Sequence, residues 1–320
     1  MARVRAAGVL RCGIDVEEAE YSTADDHGNR EAFDADLCRA VAVAVLGENA
    51  RVTVAHYPDD SAVMQGLGGG EVEMVATLTD DFTHSVGTHL ELTRPVLWDG
   101  VGFLVLASSS ATRARQLSGK KLCFLAETTA EESVRAWSAR ERLEFVPFPF
   151  QEEGEMQAAF ATGNCGALAG DRTRLAETRA ALARRGHRTR LLPETISQDP
   201  LASAVRADDP QWAAIVDWVM EALVQAEQSG VTQANVKAMR AQAAQTNAAD
   251  PVLRVLLGGS HEIGPALGLD DGWVARVIAA TGNYGEIYDR DLGSASAMKL
   301  PRGENNLWLH GGAMVALPPK

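Results

Sequence analysis

What this sequence most lacks is positive charge. Thirty Lys and Arg residues face 43 Asp and Glu residues, a formal net charge of -13 at pH 7. Such a chain repels phosphate backbones and anionic lipid surfaces, so nucleic acid is not expected as a partner. The longest apolar runs, such as residues 41–46 and 101–106, are far shorter than the roughly 20 residues that cross a bilayer. A membrane anchor is therefore not expected either.

The beginning of the chain lacks the apolar stretch and small-residue cleavage site of a secretory signal. Either the protein is cytoplasmic or a signal has been removed from it. Cysteine is also scarce. The count of four permits two disulfides, but in a chain of 320 residues the four thiols could equally be free in the core. The count alone leaves both alternatives open.

What is present is a pattern of alternating strands and helices. The composition, 46% hydrophobic and 23% charged, supports real cores and excludes a disordered or fibrous protein. Residues 9–14 predict a strand, and apolar residues then recur every four positions from Phe33 to Val45, which predicts an amphipathic helix. Two more strands, at 51–54 and 72–76, follow. This alternation indicates right-handed crossovers and a parallel sheet.

The pattern starts afresh beyond residue 107 and resembles a copy of the first. The predicted strands of this part are residues 121–125, 143–146, 167–169 and 189–192, and the predicted helices are 128–140, 155–161 and 173–185. A helix then begins at Pro210 with Asp209 as its cap. We predict an α/β protein with lobe one at 1–106 and 203–320, including a helical and loop-rich tail from about 231, and lobe two inserted at 107–202.

Six short segments are together specific for one family. They are residues 8–13 (GVLRCG), 33–41 (FDADLCRAV), 70–73 (GEVE), 99–103 (DGVGF), 230–236 (GVTQANV) and 282–288 (GNYGEIY). On these segments the chain resembles, nearly end to end, the periplasmic substrate-binding proteins of polar amino-acid ABC transporters (bacterial extracellular solute-binding protein family 3), in particular the general L-amino-acid branch with its long C-terminal tail.

The resemblance implies a fold, a location and partners. The fold is the periplasmic-binding-protein-like type II fold, in which two lobes, each with a mostly parallel five-stranded sheet flanked by helices, are joined by two crossover segments and hold a ligand in the cleft. It implies a periplasmic monomer that delivers a small ligand to an ABC transporter permease, with no cofactor and no catalytic residue. It also implies two disulfides, Cys12 with Cys38 and Cys123 with Cys165.

In lobe two the resemblance implies two groups of ligand-binding residues. Asp171 matches the aspartate that holds the ligand ammonium, although it could instead be the N-cap of the following helix. Thr128 and Thr129 match a threonine pair at a helix N-terminus, where backbone N–H groups can hold an anion. The alternative is a capping box of Thr128 with Glu131. Glu127 departs from the family, which usually has glycine there.

In lobe one the sequence lacks the arginine that grips the ligand carboxylate in the family. Its position, after the third strand, is taken by His84 or Ser85, and an acid stands where the branch usually has tryptophan. The candidate ligand-binding residues of this lobe are Tyr21, Thr79, Asp80, Asp81, Phe82, His84 and Ser85. Without a bidentate cation, and with extra acids, a cationic or amine-bearing ligand is the expectation. Tyr21 or Phe82 could stack on such a cation.

Three functions stay open at this point. The first is a binding protein that captures an amino acid, a derivative of one or an amine cation for a transporter. The second is a sensing or partner-binding module that has lost transport, and the third is a dehydratase-like enzyme on the same scaffold. No paired acid and base with a fixed spacing supports the enzyme. The histidines have no metal-ligand spacing, so no metal is expected.

Overall fold

Two five-stranded sheets organise the chain in the computed structural model, which describes residues 1–15, 30–245, 250–260 and 263–319. The strands in chain order are β1 (Leu10–Asp15), β2 (Val52–Tyr57), β3 (Met74–Thr79), β4 (Leu90–Asp99), β5 (Val101–Leu106), β6 (Lys121–Leu125), β7 (Val146–Phe150), β8 (Ala167–Asp171), β9 (Thr189–Leu191) and β10 (Asp199–Arg206).

Helices connect and cover these strands. They are α1 (Ala2–Ala7), α2 (Arg30–Leu46), α3 (Asp60–Gly69), α4 (Phe82–Ser85), α5 (Thr129–Glu141), α6 (Glu153–Ala161), α7 (Arg172–Arg184), α8 (Pro210–Gln228), α9 (Val236–Ala243), α10 (Pro251–Leu256), α11 (Ile263–Leu267), α12 (Trp273–Thr281) and α13 (Tyr284–Asp291). None of the helices in the described ranges is long and apolar enough to cross a membrane.

The two sheets share one design. The first has the order β2-β1-β3-β10-β4 and the second the order β7-β6-β8-β5-β9. In the first, β1 is parallel to β2 and β3, and β10 is antiparallel to β3. In the second, β6 is parallel to β7 and β8, and β5 is antiparallel to β8 and β9. The predicted α/β fold with two five-stranded sheets is confirmed.

The chain divides into two compact units. Unit one comprises Met1–Leu97, Leu201–Gly293 and Arg302–Lys320, and unit two comprises Trp98–Pro200 and Ser294–Pro301. The sequence pattern predicts the first boundary after residue 106 and the whole tail in lobe one. β5 lies in unit two because it pairs with β8 and β9. The Ser294–Pro301 stretch, here called the strap, joins unit two because Arg179 on α7 donates from Nη2 to the Lys299 carbonyl at 3.1 Å.

Two strands differ from the sequence prediction. β4 was not predicted, because charged residues such as Glu91 and Arg94 interrupt its apolar pattern. β7 lies at Val146–Phe150 rather than at 143–146. This strand contains two prolines, which normally argue against a strand. They are tolerated because β7 is at the edge of its sheet and needs a hydrogen-bonding partner on one side only.

Both predicted disulfides are confirmed. Cys12 is bonded to Cys38 and links β1 to α2 in unit one, and Cys123 is bonded to Cys165 in unit two. All four cysteines are buried. Each bond lies within one unit, so each stabilises its own unit without tying it to the other.

The C-terminal segment is held to unit one through residues of the segments 230–236 and 282–288. Asn283 caps α13 in a capping box with Glu286, and the Glu286 carboxylate also accepts the Gln233 backbone N–H at 3.0 Å. Phe33 of α2 makes edge contacts with the rings of Tyr284 and Tyr288 on α13. The tail therefore contributes to the core of unit one.

One carboxyl in this region is unusually placed. Asp291, at the end of α13, is 2% exposed and lies beside Arg290, whose guanidinium pairs with Asp36 on α2. Burial first, and then the neighbouring Asp36 carboxylate, raise the pKa of Asp291 to about 7, against the opposing effect of Arg290. The contact between α13 and α2 thus contains a carboxyl that binds its proton near neutral pH.

Removing one disulfide should destabilise its unit substantially. Closing a loop of 26 or 42 residues restricts the unfolded chain by about 3–4 kcal/mol in the chain-entropy model. We expect the double variant C123S/C165S to lower the free energy of unfolding of unit two by about that amount, measured by urea denaturation. C12S/C38S should shift the transition of unit one instead. Equal stability of variant and wild type under oxidising conditions would contradict this expectation.

The substitution Asp291→Asn should make the protein more stable than the wild type, and the difference should grow as the pH rises. A carboxyl whose pKa is higher in the folded than in the unfolded chain opposes folding once it is ionised, so its cost appears between about pH 4 and pH 7. We expect the variant to match the wild type near pH 4 and to exceed it by about 1–3 kcal/mol at pH 8. Urea titrations across this range measure the difference, and a difference that does not change with pH would refute the explanation.

Candidate functional site

The candidate site of unit two lies at the carboxyl end of β8. Asp171 is the last residue of β8, half-buried, and α7 begins at the next residue with no loop between them. Asp171 occupies the N-cap position, yet its side chain makes no capping hydrogen bond. The Asp171 side chain therefore does not cap α7, which was the alternative left open by the sequence.

The cap of α7 comes from a distant residue, Asp99, at the end of β4. Its buried carboxylate accepts the backbone N–H groups of Arg172 at 3.0 Å and Thr173 at 3.3 Å, and the Thr173 hydroxyl as well. It also accepts the N–H of Gly100 at 2.8 Å. Asp99 thus supplies the negative charge that a helix N-terminus favours. Sequence reasoning missed this role, although Asp99 begins one of the six specific segments.

Gly100 is required where it stands. Its φ is 150°, and a Cβ there would lie 2.4 Å from the Ser197 carbonyl oxygen. The Ser197 hydroxyl accepts the Val101 N–H at 2.9 Å and donates to Asp199 at 3.1 Å. Burial raises the pKa of Asp199, the hydrogen bond from Ser197 opposes this, and the nearby Asp99 charge adds to the rise. The segment is therefore packed closely around two carboxyl groups.

The second group of candidates in unit two lies where β6 meets α5. Thr128 is the N-cap residue of α5, but its hydroxyl donates to the Leu125 carbonyl at 2.8 Å and makes no capping bond. Glu131 accepts the Glu127 N–H at 3.1 Å and pairs with Arg135, so it does not complete a capping box with Thr128. Thr129, the first residue of the helix, is exposed. Thr128 therefore does not cap α5, and the role of the threonine pair in holding an anion stays a prediction.

Glu127 has a left-handed backbone with φ of 61°. A non-glycine residue in this region is strained by roughly 1–2 kcal/mol relative to the right-handed region, whereas glycine is not. The glycine that the family resemblance places here is therefore explained by the turn itself. Glu127 keeps the turn and adds an exposed carboxylate beside the helix N-terminus.

In unit one the candidates follow β3. Thr79 ends the strand, and Asp80 is half-buried beside Asp81. Burial first, and then the Asp81 charge, raise the pKa of Asp80. Asp81 caps the short helix α4 and accepts the backbone N–H of His84 at 2.8 Å. Burial acts to raise the pKa of Asp81, but the hydrogen bonds from His84 lower it overall.

His84 does not take the place of an arginine. Its Nδ1 lies 2.8 Å from the Asp81 carboxylate and its Nε2 lies 3.5 Å from the Asp60 carboxylate. Two acids of the same unit therefore already hold the ring. Ser85 is likewise engaged, because its hydroxyl donates to the Asp81 carbonyl at 2.7 Å. Neither candidate offers a bidentate cation.

Phe82 is the most exposed large apolar side chain among the described residues, at 79%. Its ring lies on α4, in the same loop as Asp80. Tyr21, the other candidate for stacking, falls outside the described residues.

The contacts of Thr77, in the carboxyl half of β3, were not predicted from the sequence. The Thr77 hydroxyl contacts both oxygens of the buried Asp34 carboxylate at 3.0 Å and accepts from Arg30 Nη2 at 3.2 Å.

Within the described ranges, no group of three or more His, Cys, Asp or Glu side chains could hold a metal ion.

Comparison with known proteins gives a consistent result. The chain is 36% identical over 321 residues to the general L-amino acid-binding periplasmic protein AapJ of Rhizobium johnstonii, covering 98% of this chain and 91% of that protein. It is 34% identical over 316 residues to the glutamate/glutamine/aspartate/asparagine-binding protein BztA of Rhodobacter capsulatus, with the same coverage. No protein-family model matches the sequence.

Among solved structures, the chain is similar to an ABC transporter periplasmic binding protein from Brucella ovis with glutathione bound. The TM-score is 0.82 and the sequence identity 33%, over 100% of this chain and 98% of the other. A putative binding component of an ABC transporter from Wolinella succinogenes, at 16% identity and a TM-score of 0.51, shares the fold.

The strain at Glu127 can be measured directly. We expect Glu127→Gly to raise the free energy of unfolding by about 0.5–1 kcal/mol, because glycine adopts the left-handed backbone without strain. Glu127→Ala is the matched control, since it removes the same charge but keeps a Cβ. Chemical denaturation of both variants separates the two effects, and an equal gain in both would assign the cost to the charge.

Proposed function

The chain belongs to the periplasmic amino-acid-binding proteins of ABC transporters, and on that basis we propose that it binds a small ligand carrying both an ammonium and a carboxylate and delivers it to a membrane permease. We propose a periplasmic location as well, because the relative AapJ is a periplasmic protein and BztA is a binding protein of the same class. We also propose that the protein is a monomer.

The observation that carries the proposal is the capping of α7 by Asp99. A carboxylate at a helix N-terminus normally satisfies the first backbone N–H groups. Here Asp99 accepts the N–H groups of Arg172 and Thr173, so capping does not explain why Asp171 is an acid. A half-buried carboxylate at the carboxyl end of a strand is well placed to hold an ammonium group. We assign that role to Asp171.

We assign the opposite charge of the ligand to the N-terminus of α5. The exposed Thr129 and the first backbone N–H groups of a 13-residue helix suit a carboxylate. Thr128 supports this by fixing the turn through its bond to the Leu125 carbonyl. Glu127, with its exposed carboxylate, disfavours ligands that bring a second negative charge to this point.

In unit one we propose that Thr79, Asp80 and Phe82 contact the ligand. The acids of this loop, taken from the sequence alone, favour an amine cation. Asp81 is engaged by His84, however, so the loop is less acidic towards a ligand than its sequence suggests. A zwitterion is therefore the better proposal than a simple amine. An outcome in which amines bind more tightly than amino acids would favour the earlier expectation.

The relatives suggest which zwitterions to test. AapJ is described as a general L-amino-acid binder, BztA as a binder of acidic amino acids and their amides, and the Brucella ovis protein holds glutathione. Glutathione carries the same α-ammonium and α-carboxylate pair on its glutamyl residue. We propose a ligand from this group, either a free amino acid or a short conjugate of one.

We propose binding without turnover. The relatives are binding proteins, which supports a carrier over a dehydratase-like enzyme. A sensing module would bind the same ligand but would not need a permease. Reconstitution with the cognate permease in vesicles separates the carrier from the sensor, because only the carrier stimulates uptake.

Asp171→Asn should abolish high-affinity binding. Loss of the charged partner of an ammonium weakens binding by about 100-fold or more. The protein is first unfolded in urea and refolded to remove retained ligand, and is then titrated calorimetrically with L-glutamate, L-glutamine, L-arginine and glutathione. Glu144→Gln, which removes an exposed charge from the same unit, is the control and should bind normally. Unchanged affinity in Asp171→Asn would remove Asp171 from the site.

A further inference from the structure

We propose that unit two carries a binding surface for anionic lipid headgroups, at the end of its sheet opposite Asp171. The surface, here called the basic edge, consists of five exposed residues, Lys120, Lys121, Arg142, Arg185 and Arg188. This inference goes beyond the proposed function, because it concerns a membrane surface and neither the small ligand nor the permease.

The sheet topology brings three of these residues to one end of unit two. β6 starts at Lys121, and the Val146 N–H at the start of β7 donates to the Lys120 carbonyl at 2.9 Å. β5 runs antiparallel to β8, so its last residues lie at this end as well, and the Ala107 N–H donates to the Arg188 carbonyl at 2.8 Å. β6 and β9 are three strand spacings apart, about 14 Å.

Two helices return to the same end and add the other cations. Arg142 is the C-cap residue of α5, and the Gly119 N–H donates to the Glu144 carbonyl at 2.6 Å, which places the end of α5 beside the start of β6. Arg185 is the C-cap residue of α7 and stands three positions before Arg188. The basic edge therefore comes from three separate parts of the chain.

Acidic residues are scarce at this end of unit two. The segments 100–126 and 178–193, which lead into β6 and β9, contain none. Glu141 lies between α5 and β7, but it already pairs with two other arginines, and Glu144 is the second acid there. Within the described ranges, none of the five cations of the basic edge is in an ion pair. Their charge is thus available to a partner.

Ordinary helix capping does not account for the basic edge. Cations are favoured at helix C-termini, which explains Arg142 and Arg185. It does not explain the other three, which lie at or just before the starts of β6 and β9. In unit one, α2, α3, α8 and α12 have no basic residue in their last turn, and Glu71 and Glu73 precede β3. The cluster is therefore particular to unit two and does not follow from the shared topology.

The composition of the basic edge fits lipid headgroups better than a protein partner. A protein interface depends on a few apolar or aromatic anchors that become buried. Among the exposed large apolar side chains in the described part of the chain, only Val146 lies at this end. Exposed cations spread over several loops need no fixed geometry in their partner, which suits the fluid surface of an anionic bilayer.

The net charge of the chain does not prevent this contact. The formal charge of -13 describes the whole molecule, whereas exposed charges act over roughly 8 Å at physiological ionic strength. A bilayer that touches the basic edge therefore interacts mainly with the cations of that edge. The repulsion of anionic lipids expected from the sequence applies to the chain as a whole and not to this surface.

Vesicle co-sedimentation tests the proposal with the full-length protein. One set of vesicles contains phosphatidylglycerol and phosphatidylcholine in equal parts, and the other contains phosphatidylcholine alone. The variant K120Q/R185Q/R188Q removes three cations of the basic edge. The matched control R39Q/K237Q/R254Q removes three exposed cations of unit one and so changes the net charge equally. Thermal melts of both variants report on folding, and R185Q/R188Q replaces the triple variant if that variant does not fold.

We expect the wild type to bind the anionic vesicles, more tightly at low salt, and not to bind phosphatidylcholine alone. K120Q/R185Q/R188Q should bind the anionic vesicles about 10-fold more weakly or worse, because each cation near an anionic surface contributes separately. The control variant should stay within about twofold of the wild type. Both variants should bind the small ligand as the wild type does.

Three outcomes would overturn the inference and leave the proposed function intact. The first is equal binding to both sets of vesicles. The second is an equal loss of vesicle binding in the two triple variants, which would assign the effect to net charge. The third is tighter binding to poly-L-glutamate than to the anionic vesicles, which would make an acidic protein the partner. Loss of ligand binding in the wild type would instead concern the proposed function alone.

Discussion

The carboxylate of Asp99 is the constraint on which the functional part of unit two depends. It accepts N–H groups from Gly100, Arg172 and Thr173, and so joins the end of β4 to the start of α7. A strand can run directly into a helix here because the cap is supplied from elsewhere in the chain. The last residue of that strand, Asp171, therefore does not have to cap the helix with its side chain. The neighbouring Gly100 is closely packed as well, because a Cβ there would lie 2.4 Å from the Ser197 carbonyl oxygen.

The two units have the same strand topology but different charge compositions. Both place three parallel strands beside antiparallel ones in the same order. The excess of acids over bases lies in unit one, whereas acidic and basic residues nearly balance in unit two. Most ion pairs of unit one therefore draw on few cations, as in the pairs Arg11–Glu73 and Arg302–Glu227. In unit two the anion-binding element is a helix N-terminus, which needs no charged side chain.

How far the sequence predicts this structure depends on whether a feature is local. The strand Lys121–Leu125 and the helix from Pro210 with its Asp209 cap were predicted as observed, because their signals lie in adjacent residues. The fold and the cysteine pairs followed from the family resemblance. β4 could not be predicted, since its charged positions hide the apolar ones, and the edge strand β7 was displaced by its prolines. The role of Asp99 depends on partners more than 70 residues away, which only tertiary packing brings near.

The strap has a consequence for the order in which the protein can be completed during synthesis. Ser294–Pro301 belongs to unit two, although the rest of that unit ends about a hundred residues earlier. Domains generally fold as they leave the ribosome, from the N-terminus onwards. The surface of α7 around Arg179 therefore stays uncovered until most of unit one has been synthesised. Unit one is completed later still, by Arg302–Lys320, so a chain that stops before the strap leaves both units incomplete.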